Sequence, residues 1–270
     1  MGSAMADTRG ILNPQRGASH FTLTRHAPAP EVAERIDRHW IVRWDLRGRS
    51  PFTQDVLPHP CVNLVFQDGE GRIFGVVRDR FSRRLEGAGM AVGTRFRPGG
   101  FAAFVDLPMG GLVGRSVPVA EAFGADGARL QRAVAAHDDE AEQVATVERF
   151  VAARLPDDDE GFELVAAIVA DMLRLPPGAR VEDVAARHGL SERTLQRLFR
   201  RYIGLGPKWV LQRYRLHEAA ERMAAGDVDD LTRLALELGY FDLPHFTTHF
   251  RRAVGRSPAA FLEACRAAAD

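Results

Sequence analysis

Arg193, Gln196, Arg197 and Arg200 recur at three- and four-residue steps, so on a helix they share one side. Arginine can pair bidentately with guanine and glutamine with adenine in the major groove of duplex DNA, while neighbouring cations hold phosphates. A second set follows about fifty residues later. Leu243, Pro244, His245, Thr247 and Thr248 offer contact to thymine methyls and a few hydrogen bonds. Arg251, Arg252 and the loop near Ser257 add phosphate contacts. The second set carries little charge, so the first is expected to dominate base readout. Abundance of arginine is not itself the signal, because Lys208 is the only lysine among 36 basic residues. Spacing is.

The elements that must hold these side chains are written as an internal repeat. Phe199 to Pro207 aligns with Phe250 to Pro258 at an offset of 51 residues, and Leu211 and Arg215 continue it to Leu262 and Arg266. Ala185 and Gly189 match Ala235 and Gly239 at an offset of 50, so the second copy has one extra residue in its turn. Such a repeat signals a duplicated supersecondary unit. In the first copy, Val181 to His188 reads as a short helix, Gly189 ends it, and Ser191 caps a second helix from Glu192 to Tyr202. Leu195, Leu198 and Phe199 supply its inward face, and Ala185 is small where the two helices meet. That is a helix-turn-helix. The second copy uses Ala235, Gly239, the cap Asp242, and inward Phe246 and Phe250. Between them, Lys208 to Ala224 reads as one helix about 25 Å long at ~1.5 Å per residue. Successive major-groove segments lie ~34 Å apart, so this helix can brace two reading heads across one turn of DNA.

Residues Val181 to Ala264 resemble the DNA-binding domain of the AraC/XylS family of bacterial transcription regulators. The resemblance rests on Ala185, Gly189, Leu190-Ser191, Leu195, Phe199-Arg200-Arg201, Gly204, Pro207 and Tyr214-Arg215-Leu216. In the second half it rests on Ala235, Leu238-Gly239-Tyr240, His245-Phe246, Phe250-Arg251-Arg252, Gly255, Ser257-Pro258 and Phe261. It implies a seven-helix domain with two helix-turn-helix units on one face, binding promoter DNA. It also implies base-reading roles for Arg193, Gln196 and Arg197, and for Leu243, Pro244, His245, Thr247 and Thr248. Pro244 and Leu243 stand where the family more often has polar residues.

The N-terminal region has a different texture. Trp40 to Trp44, Cys61 to Phe66 and Ile73 to Val77 are β-branched and aromatic runs, punctuated by Asp68-Gly69-Glu70-Gly71, Gly87-Ala88-Gly89 and Pro98-Gly99-Gly100. They predict a small barrel or sandwich. After about 118 the pattern turns helical over Ala128 to His137, Ala141 to Leu155 and Phe162 to Leu175. The stripe Val144, Val147, Phe150 and Val151 suits an internal core or a homodimer face. Pro176-Pro177-Gly178 is the strongest break. The fold class is therefore α+β in two domains: 1–175, β-rich with following helices, and 176–270, all-α with two helix-turn-helix units joined by a linker helix. Leu57 to Phe66 and Gly93 to Gly100 are loosely similar to a sensor domain found in some members of the family, which implies an effector-binding or dimerising role. Trp44, Asn63 and Arg95 are the candidate effector contacts.

The composition excludes several classes. Balanced charge, with 36 basic and 36 acidic residues, rules out a uniformly basic coat. The excess is local, 15 basic against 12 acidic residues from Pro176 to Asp270. Cys61 and Cys265 make no disulfide framework, and Cys61, in an apolar run, reads as a buried thiol. His20, His26, His39 and His59 lack helical metal-ligand pairing, and no phosphate-binding glycine loop occurs, so no metal or cofactor is expected. No run approaches the ~20 apolar residues that cross a bilayer, and Met1 to Met5 reads as an expression remnant. The expectation is a cytoplasmic, non-enzymatic, sequence-specific transcription regulator that binds double-stranded promoter DNA. Its partners would be a small-molecule effector, RNA polymerase if it activates, and a second copy if it dimerises. The alternative is an N-terminal enzyme or protein-interaction module tethered to DNA.

Overall fold

The computed structural model describes Gly10, Leu12, 17–176 and 178–269; Met1 to Met5 and Pro177 lie outside the described residues. Among the described residues eight strands come first, with one short α-helix and two 3-10 turns (Pro30–Val32 and Ala102–Phe104) between them: β1 (Thr22–His26), β2 (Ile36–Asp45), β3 (Phe52–Val56), β4 (Asn63–Gln67), β5 (Glu70–Phe74), β6 (Phe81–Leu85), β7 (Ala88–Phe96), α1 (Met109–Leu112) and β8 (Ser116–Pro118). Six strands form an antiparallel sheet in the order β1-β2-β7-β4-β5-β8, and β3 pairs with β6 as a separate ribbon.

Strand alternation decides what each face of the sheet touches. Ile41, Leu64, Phe66, Ile73 and Val92 point to one side and are nearly solvent-free. There they pack on Leu130 and Val134 of α2 (Val119–Ala135) and on Val144, Val147 and Val151 of α3 (Glu140–Ala152). The stripe that suited either a core or a dimer face is thus occupied by the sheet. The opposite side carries Trp40, Val42, Trp44, Val65 and Ala91, packed with Leu85 and Phe52 of the ribbon. Trp40 lies over Gly93 and Trp44 over Gly89, where an added Cβ would come within 2.0 and 2.4 Å of the indoles. The sandwich-like expectation takes the form of one sheet with helices on one face and a ribbon on the other.

A buried polar array ties α3 to the sheet. His39 has no exposed surface; its Nδ1 accepts from the Thr94 hydroxyl (2.9 Å) and its Nε2–H donates to Glu148 Oε1 (3.1 Å), a tautomer assigned from the partners. Burial pushes the imidazole below its ordinary pKa, against the opposing pull of Glu148. Hydroxyl, imidazole and carboxylate stand in line here, away from the cleft between the sheet and the helices.

Seven helices follow: α4 (Glu160–Met172), α5 (Val181–Arg187), α6 (Glu192–Tyr202), α7 (Pro207–Ala224), α8 (Leu231–Glu237), α9 (Leu243–Val254) and α10 (Pro258–Ala269). Phe162, Val165, Ile168 and Val169 of α4 share one core with Val184, Leu195, Phe199 and Val210. On packing grounds we start the helical unit at Glu160, and this seventh helix lies before Pro176, where the sequence break suggested the boundary. A second core gathers Leu216, Leu234, Phe246, Phe250 and Phe261.

Residues from the β-rich region enter both helical cores. Val76 (2% exposed) lies in the first, and Leu57 (0%) in the second. The run predicted as strand to Val77 stops at Phe74, and the next residue, Gly75, passes so close to Leu112 O that a Cβ there would clash at 1.9 Å. Asp159 joins the halves further. It caps α4 by accepting from the Phe162 amide (3.1 Å), and also accepts from Tyr202 Oη (2.6 Å) and Arg35 Nη1 (2.9 Å). Burial pushes its pKa up, but these hydrogen bonds outweigh it and hold the carboxyl below its usual value.

Candidate nucleic-acid interface

The first reading unit is α5, the turn His188 to Ser191, and α6. Gly189 has φ of +63°, which favours glycine even though nothing crowds its Cβ position. Leu190 N then donates back to Ala185 O (2.9 Å), closing the turn over a buried alanine. Ser191 Oγ accepts from the Thr194 amide at 3.2 Å, satisfying one of the free donors at the start of α6. Leu195 and Phe199 are fully buried, which sets the rotation of the helix. Arg193, Gln196, Arg197 and Arg200 are consequently all exposed. Among the described residues none of the four has a hydrogen bond or ion pair to the rest of the chain, so their donors are available to a partner.

The second unit is α8, the turn Leu238 to Asp242, and α9. Tyr240 N donates to Ala235 O (2.9 Å), the counterpart of the Leu190 bond, and Asp242 Oδ1 accepts from the His245 amide (2.8 Å). The residue inserted between these two equivalences is Phe241, which is 87% exposed. Sequence alignment of the copies showed the insertion but did not single out this side chain as a surface contact. Leu236 beside the turn is also exposed. On α9, Pro244, His245, Thr248 and Arg251 face solvent, while Leu243 and Thr247 are half-buried. Thr248 Oγ1 already donates to Pro244 O (3.0 Å). The His245 ring lies 4.5 Å from His249 and 5.5 Å from Tyr240, edge on to both. Burial, with His245, Arg252 and Lys208 nearby, lowers the pKa of His249. This surface is aromatic and apolar where the first is cationic.

A cleft of about 710 Å³ opens between the sheet and the helices, bordered by Arg38, Arg95 and Arg97 on one side and by Tyr214, Arg215 and Glu218 of α7 on another. Arg95 Nε and Nη2 grip Asp37 Oδ2 (2.9 and 2.6 Å), and Arg38 Nε shares it (2.8 Å). Burial raises the Asp37 pKa, and the two arginines more than reverse that. Of the three expected effector contacts only Arg95 reaches this cleft. Asn63 faces Arg95 across the strands, but its Oδ1 accepts from Trp40 Nε1 (3.3 Å). Trp44 lies away from the cleft: it sits in the ribbon core, its indole N–H donating to Glu86 O (3.0 Å), and its partner on β7, Gly89, is six residues from Arg95. Cys61 also borders the cleft, and burial pushes its thiol up to about 12, which keeps it protonated and unreactive. Among the described residues no group of three or more histidine, cysteine or acidic side chains is placed to hold a metal ion, and no helix is long and apolar enough to cross a membrane.

Comparison with known proteins follows the same division. Residues 184–264 match a helix-turn-helix domain family, and residues 24–118 match a domain of unknown function, DUF6597. The HTH-type transcriptional activator RhaS of Escherichia fergusonii is 42% identical over 77 residues, which is 28% of this chain and 27% of that protein. RhaS of Pectobacterium carotovorum is 39% identical over 75 residues, 28% of this chain and 26% of its own length. The chain thus matches about a quarter of these curated relatives. Among solved structures, an apo variant of ToxT from Vibrio cholerae aligns over 90% of this chain and 97% of its own, with a TM-score of 0.41 and 9% identity. That superposition is loose.

Proposed function

We propose that this chain, whose C-terminal region carries a helix-turn-helix domain of the AraC/XylS type, is a sequence-specific DNA-binding transcription regulator. The observation that carries this reading is the pair of matched turns, the first presenting four exposed, unengaged side chains at helical spacing. Arg193, Gln196 and Arg197 read bases, and Arg200 holds phosphate. Leu243, Pro244, His245, Thr247 and Thr248 make the second, mainly apolar contact, with Arg251 on the backbone. Fluorescence-anisotropy titration against a duplex selected in vitro by the wild-type chain tests it. Arg197→Ala should weaken binding by ~1–3 kcal/mol and relax preference at one base pair. Equal affinity for selected and scrambled duplexes, before and after the change, would refute sequence-specific reading.

The N-terminal domain acts as the regulatory half. The cleft beside Arg95 is the candidate effector site, and its bordering helix α7 links the two reading units, so occupancy bears directly on their spacing. The reading places the protein in the cytoplasm with DNA, with RNA polymerase as partner if it activates, and with a second copy if the regulatory half dimerises. No enzymatic step belongs to it.

A further inference from the structure

The segment joining β5 to β6 touches both reading units and the helix between them. Val76 is buried in the core of the first unit, its carbonyl accepting from Gly114 N at 2.9 Å. Two residues on, the carbonyl of Arg78 accepts from the buried guanidinium of Arg213 on α7. Burial lowers the pKa of Arg213 to about 10, and the nearby Asp79 carboxylate opposes that shift. Asp79 Oδ1 then accepts from Arg252 Nε (2.9 Å) at the last turn of α9. Arg80 lies against Gly255, just past that helix, and is itself held by Asp55 (3.2 Å), which also takes the Ser82 hydroxyl (2.6 Å). A strap from the N-terminal domain therefore places a carboxylate on an arginine of the second reading helix.

Arg252 is one of the two arginines that the spacing of the repeat assigns to phosphate contact. A carboxylate on a guanidinium uses the same charge and the same donors as a DNA phosphate oxygen. We propose that Asp79 stands in for a DNA phosphate on Arg252, so that the N-terminal domain withholds this cation from DNA until the strap is displaced. This rests on the DNA-binding reading above and adds a competitor to it. Both partners are more than half exposed (75% and 55% for the two side chains), so the contact is weak enough to exchange for a phosphate. The strap also spans the two reading units, so any movement of the sheet that carries it would act on the second unit through this contact.

A double-mutant cycle on the full chain tests the proposal, using the duplex selected in vitro by the wild-type chain. Asp79→Asn should tighten binding about two- to five-fold, the range expected for freeing one exposed ion pair. In the Arg252→Gln background the same change should have no effect. An equal gain in both backgrounds would mean general loss of negative charge, and would overturn the proposal. So would no gain in the wild-type background. Melting curves of each variant establish that it is folded. Should Asp79→Asn prove unstable through Arg213, the cycle is repeated with Asp79→Ser under the same criteria. If the wild-type chain selects no duplex, the DNA-binding reading itself fails, and that result is distinct from a flat cycle.

Discussion

The two reading units share a backbone plan and differ in what they show to solvent. Each has a short helix with a buried alanine, a glycine at positive φ, a side-chain cap and two buried apolar anchors. Outside, α6 presents three arginines and a glutamine without internal partners, while α9 presents proline, histidine and threonine beside an exposed phenylalanine. Duplication has kept the positions that fold and released the positions that touch. The second unit is also the one whose cation is engaged by the N-terminal domain. On the proposed reading, affinity would rest chiefly with the first unit and control with the second.

The largest test of the shared plan is at the anchors. Phe199→Ala and Phe250→Ala should each destabilise the chain by ~3–5 kcal/mol in denaturant melts, since both side chains are fully buried. A large loss at one and little at the other would break the equivalence of the folds. The caps sharpen the comparison at smaller scale. Ser191→Ala and Asp242→Ala should each cost ~0.5–2 kcal/mol, measured the same way, with glycine substitutions nearer to neutral. The smallest effect is confined to acid and to the β-rich half. His39 has a folded pKa below its unfolded value of 6.5, so its contribution to stability is present above that pH and is lost as pH falls through the folded value. Wild-type melting temperature should therefore drop below about pH 6.5 more steeply than that of His39→Gln. Parallel profiles would show that His39 does not titrate on unfolding.

Much of the helical unit was legible because helical periodicity and a fixed offset are local properties of the chain. Leu195, Phe199, Phe246 and Phe250 had to be inside, and the arginines then had to be outside. Strand alternation was weaker guidance. It says nothing of distance along a strand: Trp44 on β2 pairs with Gly89, six residues along β7 from Arg95. The sequence break at Pro176 says nothing of which side chains pack together, and α4, which precedes it, shares its core with Val184, Leu195 and Phe199. The strap was illegible. Val76 looks like any strand residue, and only tertiary packing tells that it is buried among the helices.

Val76 and Leu57 have one more consequence. Both are lent by the β-rich half to interiors built otherwise from helices. A fragment cut to begin at Glu160 would lack these plugs and carry two hollows lined by bare aliphatic side chains. The carboxyl-terminal piece thus draws part of both its interiors from its neighbour, and amputating that neighbour would bare apolar surface.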